Sequence, residues 1–122
     1  MSKIVILAGS FDCITQKQTH LIKEAYKLAV GGEVYVLLYE DYAYYSDFGS
    51  FPIQGYDDRI ENLSNFVCRN NILRRDDFKL LNRTEDKKLI TFVHYADDKD
   101  FPGREQLREN NITIKFIKKY EQ

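Results

Sequence analysis

The chain has 122 residues, of which 43% are hydrophobic and 30% charged, and its formal net charge is −1. That balance is of an ordinary globular protein, long enough to bury a hydrophobic core as one domain over residues 1–122. It excludes a global electrostatic field that would draw in nucleic acid or an anionic membrane, and the two cysteines, Cys13 and Cys68, do not make a disulfide framework or a metal cluster.

The longest apolar runs, "IVILAG" and "ITFVHYA", are far shorter than the roughly 20 residues that span a bilayer. Ile4–Ala8 is too short for the apolar region of a signal peptide and opens straight into a glycine turn. No membrane association is expected, and a reduced, cytoplasmic compartment fits the cysteine usage best.

Lys3–Ala8, ending at Gly9, reads as a central parallel strand buried on both faces. From Gln18 to Val30, Leu21, Ile22, Ala25, Leu28 and Ala29 recur at helical spacing, and Gly31-Gly32 ends the pattern. Glu33–Tyr39 is the second strand, which completes a βαβ unit with a right-handed crossover. Glu40–Gly55 reads as a long loop and Asp57–Arg69 as a helix with Ile60, Leu63, Phe66 and Val67 inward. Asp77–Leu81 reads as a short strand, Leu89–Ala96 as a longer one, Gly103–Asn110 as a helix and Ile112–Ile117 as the last strand. The alternation predicts an α/β, doubly wound, mostly parallel sheet of about five strands. In such sheets ligands sit beyond the carboxyl ends of the strands, which draws Gly9–Gln18, Tyr39–Asp41 and Ala96–Lys99 around one crevice.

Those segments carry a resemblance. "AGSFD" (Ala8–Asp12) matches a G-[ST]-F-D strand end, "GSFDCIT" followed by "LIKEA" is close to a "GSFDPIT" opening, "GYDDRIENL" (Gly55–Leu63) resembles a "SYEHRK" helix start, and "FVHYADDK" (Phe92–Lys99) resembles a strand ending in "GDDW". In this order the segments resemble the cytidylyltransferase-like nucleotidyltransferase superfamily, nearest to the glycerol-3-phosphate cytidylyltransferases and the phosphopantetheine adenylyltransferases. The resemblance implies a nucleotidyltransferase (Rossmann-like) fold. It also implies a nucleoside triphosphate, CTP or ATP, as substrate or ligand, Mg²⁺ with it, and transfer of a nucleotidyl group to a phosphorylated small molecule with release of pyrophosphate. The nucleotide is expected over Gly9, Ser10, Phe11 and Asp12, with Thr15, Arg59 and Asp97 contributing to binding and Lys17 and Gln18 at the catalytic positions.

The departures bear on the chemistry. The family's HxGH or TxGH motif falls on Thr15-Gln16-Lys17-Gln18, where only the threonine is kept. Glu40–Asp58 contains no Lys or Arg, so the family's loop lysine has no counterpart, and its "RTEGISTT" segment falls on Lys119-Tyr120-Glu121-Gln122, where this sequence ends. In-line nucleotidyl transfer works by positioning and charge stabilisation, and removing one preorganised donor typically lowers the rate by about 10²–10³. Lys17 offers a cation beside a helix N-terminus and Gln18 keeps an amide donor. Thr15-x-x-Gln18 is equally a capping box, which would account for the same residues with no ligand at all. The alternative function is therefore a catalytically inactive module serving as nucleotide sensor or as an interaction and assembly component.

Further residues have two readings each. His20 lies two positions past the replaced histidine but faces elsewhere on the helix, and His94 lies inside a strand, where packing is the simpler role. Asp12, Asp41, Asp97 and Asp98 stand at strand ends and would suit a metal shared with phosphates, or simple solvation; no protein metal site is assigned. Arg59 has as its second reading an ion pair with Asp57, Asp58 or Glu61, and Cys13 reads as an inert small residue or a thiol activated by a helix start. Tyr39–Phe51 holds four tyrosines and two phenylalanines, suiting a lid, a homodimer or protein-partner surface, or a loop folded back on the domain. Arg69–Lys88, with seven cations against four acids, is too mixed to indicate nucleic acid.

Overall fold

The computed structural model describes residues 3–41, 45, 49–74, 90–95, 108–109 and 112–117. β1 (Ile4–Gly9) leads into α1 (Gln16–Ala29), then β2 (Glu33–Leu38) and α2 (Tyr56–Leu63). A 3₁₀ turn (Arg69–Asn71) precedes β3 (Ile72–Arg74), and β4 (Ile90–Tyr95) and β5 (Thr113–Ile117) complete the sheet. The strands lie in the order β3-β2-β1-β4-β5 and every pairing is parallel. Among the described residues the chain thus has the expected α/β, doubly wound, Rossmann-like sheet of five strands, with its strand order reversing between β1 and β4.

The central strands are buried on both faces, which is why their sequences are continuous apolar runs rather than alternating ones. On one face Val5, Leu7, Val34, Val36, Leu38 and Val93 meet Leu21, Ile22, Ala25 and Ala29 of α1 and Leu63 of α2. On the other, Ile4, Ile6, Tyr35, Leu37, Ile90 and Phe92 form a second buried cluster with Ile112. Both helices therefore press on the same side of β1 and β2, and their N-termini are brought toward the carboxyl end of the sheet.

α1 ends as its glycines predict. Val30 at φ 47° and Gly31 at φ 82° reverse the chain, and the Gly32 amide returns to the Ala29 carbonyl at 2.9 Å. At Gly32 a Cβ would stand 2.1 Å from the Lys3 carbonyl oxygen, the same oxygen that accepts from the Glu33 amide where β2 joins β1. Only glycine allows the two backbones to approach that closely.

Three elements differ from expectation. The third strand is Ile72–Arg74, paired with Val36–Leu38 at the sheet edge; two half-buried residues and an exposed arginine are too short an apolar run to read, and the segment 77–81 lies outside the described residues. α2 stops at Leu63 rather than running to Arg69, because the Ser64 hydroxyl and the Asn65 amide bond back to the Glu61 and Asn62 carbonyls, competing with the helix ladder. Within the stretch read as a loop, Asp41 and Tyr45 have helical backbone. Of the helix expected over 103–110, Arg108 and Glu109 are described and are helical. Among the described residues no helix is long and apolar enough to cross a membrane.

Replacing Gly32 by Ala should lower unfolding free energy by about 1–3 kcal/mol, the range for forced overpacking, and chemical denaturation of the purified variant measures it. An unchanged midpoint would mean that the β1–β2 start has slack that the close approach denies.

Candidate functional site

The site is built where β1 ends at the centre of the sheet, beside the reversal of strand order. The Gly9 carbonyl accepts from the Tyr39 amide at 3.0 Å, holding the ends of β1 and β2 together. Past it the chain turns sharply, with Phe11 at φ 47° and Cys13 at φ 53°. Left-handed backbone costs about 1–2 kcal/mol for a residue with a Cβ and persists only where the surroundings over-determine it. The Phe11 ring is buried in the core with residues of α1, so only its backbone faces the turn.

Asp12 secures the turn to the segment before α2. Its Oδ2 accepts from the Ile53 amide and its Oδ1 from the Gln54 amide, both at 2.8 Å, and the Cys13 amide donates to Gln54 Oε1 at 3.0 Å. Arg59 closes the arrangement from within. Its side chain is 0% exposed; Nε donates to the Gln54 carbonyl at 3.0 Å, Nη1 to the Ser10 carbonyl at 2.7 Å and Nη2 to Asp41 Oδ1 at 2.8 Å. The Tyr56 ring centroid lies 5.5 Å from the guanidinium carbon. A guanidinium so far from water is tolerated only when paired and hydrogen-bonded. The surface pairing with Asp57, Asp58 or Glu61 is not the one made: Arg59 turns inward to Asp41, and Glu61 pairs with Arg69 at 3.1 Å. For Arg59 to touch a phosphate directly this enclosure would have to open; as folded, it positions the Ser10 carbonyl and the turn.

Thr15 caps α1. Its Oγ1 accepts from the Gln18 amide at 3.4 Å, and its own amide donates to Gln18 Oε1 at 2.9 Å, so both halves of the capping box form. The carbonyl end of the Gln18 side chain is thereby committed to the helix start. Lys17 is exposed in the first turn of α1, which carries no acidic residue, whereas the first turn of α2 carries Asp57 and Asp58. Asp97 and Asp98, expected across the crevice, lie outside the described residues.

His20 is half-buried on α1, and His94 is half-buried on β4 with its ring nearly parallel to that of Phe92, centroids 6.4 Å apart. Cys13 and Cys68 are free thiols at the surface. Tyr39 is buried, while Tyr45 and Phe51 stack on each other with centroids at 4.8 Å and remain about half-exposed; Tyr42 and Tyr44 lie outside the described residues. Among the described residues no three His, Cys, Asp or Glu side chains gather into a group that would hold a metal ion. The oxygens of Asp12 and one of Asp41 are already engaged, so these donors do not suit a resident metal.

Beside the turn, a cleft of about 480 Å³ opens between the start of α1 and the end of α2, lined by Cys13, Ile14, Thr15, Gln16, Thr19, Gln54, Asn62, Asn65 and Phe66. Of the expected site residues it includes Thr15 alone. Sequence reasoning passed over Gln54 and the polar residues of this wall. Gln54 is held by its amide, carbonyl and side chain at once, and no spacing rule announces the bonds of its amide and side chain, whose partners stand 42 and 41 positions away.

The sheet and its site define the chain as an α/β protein of the Rossmann-like class. No family model matches it, and no curated protein matches it in sequence. Among solved structures, the lipopolysaccharide core biosynthesis protein from Thermoplasma volcanium GSS1 shares the fold with a TM-score of 0.71, at 23% sequence identity, over 99% of this chain and 100% of that one.

The buried guanidinium and the helix cap should separate cleanly in stability. Arg59→Ala should cost about 3–5 kcal/mol, since it empties the volume of a fully buried side chain and leaves the Gln54 and Ser10 carbonyls without their donor, against about 1 kcal/mol for Thr15→Ala at the exposed cap, both read by denaturant unfolding. A pH dependence follows from Tyr56, whose phenol is raised above its ordinary 10.0 by burial, then by Glu40 and Asp57, against the pull of Arg74 and Arg59. The folded state holds this proton more tightly than the unfolded state, so the contribution is intact below pH 10 and is lost as pH rises through the folded-state pKa. Stability measured above pH 10 should fall less steeply in Tyr56→Phe than in the parent.

Proposed function

We propose that this chain binds a nucleoside triphosphate, CTP or ATP, at the carboxyl end of β1, and acts as a cytidylyltransferase-like nucleotidyltransferase on a phosphorylated small molecule. The observation that carries this reading is the β1–α1 turn itself: a strained Ser10–Cys13 segment, held by Asp12 and Arg59 at the point where strand order reverses, opening onto a helix start with a cation and no acid. Such a start attracts phosphate through its amides and dipole. The ordered motif matches, and a fold shared end to end with a protein of lipopolysaccharide core biosynthesis, support the same class. Gly9, Ser10 and the backbone of Phe11 would lie under the nucleotide, and Lys17 would supply positive charge to its phosphates. Mg²⁺ would arrive with the triphosphate, to which it contributes charge neutralisation.

The completed capping box favours a second reading, in which the nucleotide is bound and not turned over. Gln18 stands at the second histidine of the motif and its carbonyl is spent on the helix cap; a glutamine amide, moreover, never becomes cationic. In that case the domain serves as a sensor or, with the half-exposed Tyr45–Phe51 pair, as an assembly component.

Calorimetry with CTP and ATP, with Mg²⁺ present, tests the shared premise. Saturable binding is expected, weakened about tenfold in Lys17→Ala, the equivalent of about 1.4 kcal/mol. Pyrophosphate release in the presence of glycerol phosphate or a hexose phosphate then decides between transfer and sensing. Absence of binding to either nucleotide overturns transfer and sensing alike and leaves only an assembly role that needs no nucleotide.

A further inference from the structure

The cleft between α1 and α2 has a chemistry unlike that of a phosphate site. None of its lining side chains is charged, and its volume of about 480 Å³ falls within the range of about 300–1,000 Å³ typical of small-molecule sites. Its polar groups are partly used, and what remains is mixed. The Thr15 hydroxyl accepts from the helix cap and keeps its own proton to donate. The Gln54 carbonyl end takes the Cys13 amide, leaving its NH₂ as a donor. Thr19 donates to the Gln16 carbonyl and keeps oxygen lone pairs, and Asn65 donates to the Asn62 carbonyl and keeps its own side-chain oxygen. Asn62 adds a whole half-buried amide, donor and acceptor together. Phe66, with 43% of its surface exposed, supplies an apolar face at the same wall.

We propose that this cleft is a binding site for an uncharged, polyhydroxylated group, a polyol or the ring of a sugar. A phosphate or carboxylate only accepts and an ammonium only donates, so each would satisfy one half of this lining and leave the other unpaired at a penalty. A hydroxyl does both. No cation is present among the lining residues to compensate a desolvated anion. The carbon-bound hydrogens of a polyol would lie on Phe66, which offers apolar contact without polar demand. The site shares Thr15 with the nucleotide reading but contains neither Lys17 nor Gly9–Asp12. It is joined to that turn through Cys13 and Gln54, which belong to both.

Cys13 makes the test direct, because its thiol is exposed at the edge of the cleft and the other thiol, Cys68, can be removed. In a Cys68→Ser background, the rate of Cys13 alkylation by iodoacetamide is followed against glycerol, D-glucose and inorganic phosphate. Saturable, severalfold slowing by glycerol or glucose and none by phosphate is expected, the two neutral probes distinguishing a linear polyol from a ring. The slowing should vanish in Asn62→Leu, which blocks the amide, provided its circular dichroism and melting match the parent. Should that variant misfold, amide chemical-shift titration of the parent replaces it, with shifts expected at Thr19, Gln54, Asn62 and Asn65. Protection by phosphate alone, protection that does not saturate, or shifts scattered away from these residues overturns the proposal. Nucleotide calorimetry is unaffected by any of these outcomes, so the two readings fail separately.

Discussion

A guanidinium with no solvent contact is the constraint on which the described site depends. Burying it would be prohibitive alone; three hydrogen bonds, one of them to a carboxylate, make it tolerable. Those partners come from three separate segments: Ser10 after β1, Asp41 after β2, and Gln54 just before α2. Because the guanidinium is a rigid plane with fixed donor directions, satisfying it sets where all three segments stand. The left-handed backbone at Phe11 and Cys13 can then be sustained, since the turn between them is gripped by Arg59 on one side and by Asp12 on the other.

The same economy explains why the charged residues near the turn are not by themselves evidence of a ligand. Asp12, Asp41 and Arg59 are spent on holding loops together. Each has the residue type of a nucleotide or metal ligand, and each has a protein partner. Lys17 is exposed, in a first helical turn that holds no acidic residue. Charge that faces outward and charge that faces inward look alike in a sequence, and only burial separates them.

At Thr15–Gln18 two demands fall on one set of atoms. A helix needs its first amides satisfied, and a phosphate site wants those amides for the ligand. The capping box meets the first demand with side chains already present. Glutamine at position 18 therefore stabilises the helix start, and its amide cannot carry charge. The neighbouring cleft, with hydroxyls and amides and no ions, shows the complementary case: groups with leftover capacity rather than fixed charge.

The fold class, β1, α1, β2, β4 and β5 were legible in the chain, to within a residue or two at their ends, because they rest on local facts. Apolar runs mark doubly buried strands, a 3.6-residue period marks α1, Gly31-Gly32 marks its end, and Thr15-x-x-Gln18 marks its start; each depends on neighbours a few positions away. The short edge strand Ile72–Arg74 was not legible, since an edge needs backbone pairing and little apolar surface. Nor was the early end of α2, where Ser64 and Asn65 turn back on the helix. By itself the sequence determined the layered architecture, the position of the turn and the helix cap. The tertiary structure alone decided that Arg59 faces inward, that Asp12 and Gln54 are partners, and that Asn62, Asn65 and Thr19 share a wall. Those contacts join residues 41, 42 and 49 positions apart, and no local periodicity carries information over that distance.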